Sequence, residues 1–182
     1  MIHNKKFVPK DLTGIDVPAS IDAAIREIRE YSKWVESKAA ELQERVATLI
    51  ANSARTVYNN SIADDLIDES MVTGNVAVYI ENDGNVTLVI ADGEDAIFME
   101  FGAGVFYNGS VGSSPNPWGA EFGYTIGSYG KGNGAKQVWG FKDANGELHL
   151  THGVPASMPL YKAVQSVSRD IVSIAREVFA SD

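Results

Sequence analysis

The sequence contains no cysteine. That excludes disulfides, thiol catalysis and cysteine metal sites. No apolar run approaches the roughly 20 residues of a membrane-spanning helix. The opening stretch MIHNKKFVPKD has no apolar core after its lysines and does not read as a secretory signal. Positive charge is also scarce, with 15 Lys and Arg against 24 Asp and Glu and a formal net charge of −9. The only local basic excess is Lys5, Lys6 and Lys10, so gripping nucleic-acid phosphates is not expected as the main activity. An acidic protein can still surround DNA and let it slide past, because a negative lumen repels the backbone. With 182 residues, 45% apolar and 21% charged, the chain can fold one real core and is no disordered tail.

Residues 1–18, with Pro9, Gly14 and Pro18, read as an extended N-terminal arm, and 19–182 as a single domain. Ser20 is a candidate N-cap for a long helix over 19–58. Its stripe is Ile21, Ile25, Ile28, Val35, Ala39, Leu42, Val46, Leu49 and Val57, in alternating steps of four and three with Ser32 and Ser53 as weak members. Charged residues between them, including Lys38, keep the other face wet, and Glu41–Arg45 is an i,i+4 pair. A helix of this length is too long for one small domain to cover. It must bend, or pack part of its stripe on another subunit.

Residues 59–70 are polar and acidic and read as a connection. The period then changes to two. Val76, Val78 and Ile80, a turn at Asn82–Asn85, then Val86, Leu88 and Ile90 predict a β-hairpin with one apolar face. Ala96–Phe101 is a further apolar segment, taken as a strand. Residues 102–136 hold most of the 17 glycines and read as a long loop. Its aromatics Phe106, Tyr107, Trp118, Phe122, Tyr124 and Tyr129 suit a protein contact surface. A second hairpin follows, with Trp139 and Phe141 answered by Leu148 and Leu150. A last helix over 156–181 carries Leu160, Val164, Val167, Ile171, Ile174 and Val178. The expected fold is α+β: a long N-terminal helix and a C-terminal helix packed on a mostly antiparallel sheet over 71–154, with the glycine-rich loop.

The residues offer little chemistry. His149 and His152 lie three apart on a strand, hence on opposite faces, and are not expected to bind metal. The stretch GSYGKGNGAK lacks the spacing of a phosphate loop. The run Asp64, Asp65, Asp68, Glu69 lacks the spacing of a calcium loop. No nucleophile elbow or dinucleotide fingerprint is present. No catalytic, cofactor or metal residues are assigned, and no enzyme activity is expected.

Two blocks carry a resemblance. Phe98-Met99-Glu100-Phe101-Gly102-Ala103-Gly104 resembles the "EFG-(T/A)-G" signature of a neck and tail-component family of tailed bacteriophages. Trp139-Gly140-Phe141 and then Leu148 through Tyr161, with His152, Gly153, Pro155, Pro159 and Tyr161, resemble the family's closing block. The resemblance covers residues 71–182; the arm and long helix are not diagnostic. It implies a homo-oligomeric ring at the neck, joining head-closure or adaptor proteins to a tail terminator or tail-tube protein. DNA would pass through the lumen without sequence-specific contacts or any role for a membrane. The location implied is the virion, and the host cytoplasm during assembly. A phage-tail-like particle (tailocin) or a tail terminator is the nearest alternative. A small particle-associated hydrolase or metal-dependent enzyme is the alternative of another class, and a coiled-coil adaptor unrelated to virions a third. Independently of the family, Gly102 and Gly104 permit a tight turn after Phe101. Glu100 is placed to cap backbone N–H groups or to bond across that turn, and Pro155 and Pro159 fix the direction of the last helix.

Overall fold

The computed structural model describes residues 17–63, 76–84, 86–93, 95–105, 114–124, 136–142 and 145–181. The order is α1 (Val17–Ala63), β1 (Ala77–Asp83), β2 (Val86–Asp92), α2 (Ala96–Phe101), β3 (Trp139–Lys142), β4 (Leu148–Thr151) and α3 (Pro159–Ala180). This is an α+β fold in which the strands among the described residues form two two-stranded antiparallel sheets, β1–β2 and β3–β4, rather than one sheet. None of the described helices is long and apolar enough to cross a membrane.

Where one domain over 19–182 was expected, the chain divides into two compact units. One comprises the described parts of Met1–Val46 and Arg169–Asp182; the other is Ala47–Ser168. In the first, α1 and α3 run antiparallel. Lys38 Nζ donates to Ser181 Oγ at 2.9 Å and Arg45 pairs with Glu177, while Trp34 sets its ring edge against Phe179. Ile174 and Val178 are buried here. Lys38, expected on the wet face, is itself buried. Its Nζ, held also by Glu41 Oε2 at 3.1 Å, sits at the C-terminal end of α3, where a cation is favoured. The expected Glu41–Arg45 pair is not formed, because both side chains find other partners.

α1 begins at Val17 and runs to Ala63, so residues 17–18 belong to the helix and not to the arm. Ser20 lies inside the first turns and is not the N-cap. Pro18 is tolerated there because the first-turn N–H groups have no intrahelical acceptor.

The core of the second unit is Ala51, Ala54, Tyr58, Val78, Met99, Val154 and Ala163, with Ile50, Val76, Ile80, Val89, Ala91 and Leu160 against it. On α1 the buried row is Ala47, Ala51, Ala54 and Tyr58, one residue round from the Val46, Leu49, Val57 row read from the sequence. Leu49 is exposed. Small alanines let neighbouring chain approach the helix closely, and that outweighs the size of Leu49. Met99 lies at the heart of this core, 1% exposed. Met99→Ala is expected to cost about 3 kcal/mol through its cavity, read as a lower urea midpoint at unchanged slope.

The first hairpin pairs Val78 with Ala91 and Ile80 with Val89. Asp83 pairs with Val86, and in this register the inward face of β2 is Thr87, Val89 and Ala91. Val86 and Leu88, expected inward, are exposed with Tyr79 and Glu81. A register one residue off exchanges every side chain between faces. The second hairpin repeats the lesson. Trp139 pairs with Thr151 and Phe141 with His149, leaving Leu148 and Leu150 on the other face, 67% and 70% exposed.

Ala96–Phe101 is helix rather than strand. Its buried residues, Ala96, Met99 and Glu100, fall at i, i+3 and i+4, one face of a helical turn. Gly102 ends it at φ 75°, donating its N–H to Phe98 O at 2.6 Å. α3 starts at Pro159 rather than 156. Ser157, inside the span expected to be helical, donates its N–H and its Oγ hydroxyl to Met99 O at 2.9 and 3.1 Å instead.

Candidate interaction site

The residues of the two motif blocks meet within the second unit. Ala103 and Val154 form an isolated antiparallel bridge, with N–H···O distances of 2.8 and 2.7 Å. Met99 O accepts from Ser157 and from the N–H of Met158 at 3.1 Å, which tethers α2 to the start of α3. Met158 itself sits at φ 55°, in a region that L side chains rarely adopt.

Glu100 lies at the centre of this junction and is 6% exposed. Its Oε2 accepts the N–H of Leu160 at 2.8 Å, and its Oε1 that of Tyr161 at 3.0 Å. These are first-turn groups of α3 with no intrahelical acceptor. A carboxylate sixty residues away thus does the work of an N-cap, and its charge complements the helix dipole. Burial pushes the Glu100 carboxyl above its ordinary value; the Leu160 and Tyr161 N–H bonds, Asn116 and the Lys162 charge oppose this in part. Tyr58 is pushed up in turn, by burial and by the Glu100 charge, so its phenol stays neutral. Among the described residues its hydroxyl has no partner.

Asn116 completes the network. Its Nδ2 donates to Glu100 Oε1 at 2.8 Å and its Oδ1 accepts from Trp118 N–H at 3.0 Å. Ser114 Oγ donates to Phe101 O at 2.5 Å, and Ser114 N–H to Tyr124 O at 2.9 Å closes residues 114–124 into a loop. Phe101 stacks on Tyr124, with centroids 4.8 Å apart, and touches Phe122 at 5.5 Å. Trp118 meets Tyr161 edge-on at 5.3 Å. Three of the six loop aromatics therefore stand beside the motif residues, and Trp118 and Phe122 remain exposed. Phe106, Tyr107 and Tyr129 lie outside the described residues, as do the acidic run 64–69 and most of GSYGKGNGAK.

Gly104 and Gly153 mark the closest backbone approach. A Cβ on Gly104 would lie 2.5 Å from the Trp139 ring, whose Nε1 donates to Gly104 O at 2.9 Å. A Cβ on Gly153, at φ 91°, would fall on the Gly104 backbone. His149 stacks on Phe141 at 5.4 Å, and His152 Nδ1 lies 3.0 Å from Gln137 O. The two imidazoles have different neighbours. Among the described residues no three His, Asp or Glu side chains converge as a metal set would require.

Sequence reasoning passed over Ser114 and Asn116, both buried. The one signal was Pro115-Asn116-Pro117, an asparagine fixed between two prolines inside an otherwise glycine-rich stretch. The arrangement as a whole is a rigid platform of buried polar bonds carrying exposed aromatics, which suits binding by contact. Neither the family models nor the curated proteins nor the solved structures compared with this chain match it.

Proposed function

We propose that this chain is a structural virion protein of a tailed phage, a neck or tail-completion component that forms a ring between the head connector and the tail tube. Its action is geometric, through repeated contacts that close a ring with two unlike rims. The observation that carries the reading is the union of the two motif blocks. Residues 98–104 and 148–161, on which the family resemblance rests, make one hydrogen-bonded junction through Glu100, Met99 O and the Ala103–Val154 bridge. That junction presents Trp118 and Phe122 outward, and exposed aromatics on a rigid frame favour contact with head-closure, adaptor or tail-tube proteins. The net charge of −9 favours a lumen through which DNA slides without being held.

Deleting the gene from the phage that encodes it and imaging the lysate by negative-stain electron microscopy tests this. Filled heads and finished tails lying unjoined are expected. Intact, joined particles would rule the neck out.

A further inference from the structure

α3 ends level with Lys38, where Ser181 meets the Lys38 ammonium, and Trp34 against Phe179 closes that end. The earlier turns of α1 have no α3 beside them. On those turns Ile21, Ile25 and Ile28 are 52%, 41% and 59% exposed, in steps of four and three. In proteins most helical stability comes from packing of an apolar face, so this exposed stripe calls for a covering surface. Steps of four and three are those of helix pairing by interlocking side chains.

We propose that a second copy of this chain covers it, with the two α1 helices antiparallel and crossing between Arg26 and Glu27. In that register Ile25 packs against Ile28 of the second copy, and Ile21 against Ser32 of the second copy, each twice by symmetry. The flanking charges select it. Asp22 then lies beside Arg29 of the second copy, again twice, and both residues are exposed. Sliding the pair seven residues one way sets Asp22 against Asp22. Sliding it the other way sets Arg29 against Arg29 and Asp22 against Glu36. A parallel pair brings Ala24 to Arg29 and Tyr31 to Glu36, with no opposite charges facing. Only the central antiparallel register buries the isoleucines and matches the charges together. The contact is two-fold, so it closes on itself. It stands whether or not the chain forms a neck ring.

The test is sedimentation equilibrium on the full chain, with helicity checked by circular dichroism. Asp22→Arg and Arg29→Asp should each raise the dissociation constant of the two-fold contact roughly three- to tenfold. The double variant D22R/R29D should return it to within about twofold of the parent, since the pair is restored with its signs exchanged. Because the chain has no cysteine, register can be read separately. Ile25→Cys and Ile28→Cys proteins, mixed and oxidised, should cross-link to each other in preference to themselves. A parent that stays monomeric at high concentration, its stripe covered by its own residues 1–16, would overturn the proposal. So would single charge reversals without effect, a double variant weaker than either single, or preferential 25–25 and 28–28 cross-links.

Discussion

Glu100→Ala is expected to lower the melting temperature by about 6–12 °C at neutral pH, which corresponds to about 3 kcal/mol in a chain of this size. The carboxylate accepts from Leu160 N–H, Tyr161 N–H and Asn116 Nδ2, and alanine leaves all three donors without it. Each orphaned buried donor costs about 1–3 kcal/mol, and loss of a helix cap alone about 1 kcal/mol. The net is smaller than the sum because the charge is expensive to bury, as the raised carboxyl value records. The damage should be local first: amide exchange at Leu160 and Tyr161 should accelerate more than at Val167, further along α3. An unchanged melting temperature would mean that water or another group takes over the cap.

The same group sets a pH dependence of definite sign. Its folded value is raised above the ordinary 4.5, so the folded state keeps a proton that the unfolded chain has already lost. Stability from this group is full below the unfolded value and is lost as pH rises through the folded value. The stability difference between the parent and Glu100→Ala should therefore narrow as pH rises from about 4.5 through the folded value. A difference that widens over that range would mean the three hydrogen bonds outweigh desolvation.

α1 and α3 were legible because their apolar periods are long and regular, and the first hairpin was legible from the strand signals on either side of Asn-Asp-Gly-Asn. Facing was harder to read. Val86 and Leu88 look like core residues, yet the pairing of Asp83 with Val86 and Glu81 with Leu88 sets them outward with Glu81 and Tyr79. Leu148 and Leu150 went the same way. In the first hairpin Val86 to Ile90 is apolar on both faces but for Thr87, and in the second both strands alternate, so the pattern of one strand does not by itself say which face meets the core. Ala96–Phe101 was missed as helix because six residues, five of them apolar, are too few to show a period of their own. The site was half legible. Glu100, Phe101 and the glycines drew attention as a motif, but the donors that Glu100 satisfies lie sixty residues away. Asn116, which ties the aromatic loop to it, sits in a stretch without any regular pattern. Contacts that distant leave no local trace in a single sequence.

The second large effect concerns the backbone crossing of the two motif blocks. Gly153→Ala is expected to cost about 4 kcal/mol, a fall of about 8–16 °C in melting temperature. Two terms add. At φ 91° an L side chain is strained whatever the space, for about 1–2 kcal/mol. The new Cβ would also lie 2.5 Å from Ala103 O and 2.6 Å from Gly104 O, both backbone atoms that have no rotamer to change. Relief requires parting residues 103–104 from 153–154, which breaks the bridge between Ala103 and Val154. Gly104→Ala, at φ 61°, meets a tryptophan ring instead, and a side chain has more freedom to give way than backbone, so its cost should be lower. Gly84→Ala isolates the strain alone, at φ 61° with nothing within 4 Å of the new Cβ, and should cost about 1 kcal/mol. The order Gly153 above Gly104 above Gly84, measured by chemical denaturation, separates close approach from backbone strain. If Gly153→Ala proved no worse than Gly84→Ala, the two motif blocks would not be in contact, and the junction around Glu100 would lose its second tether.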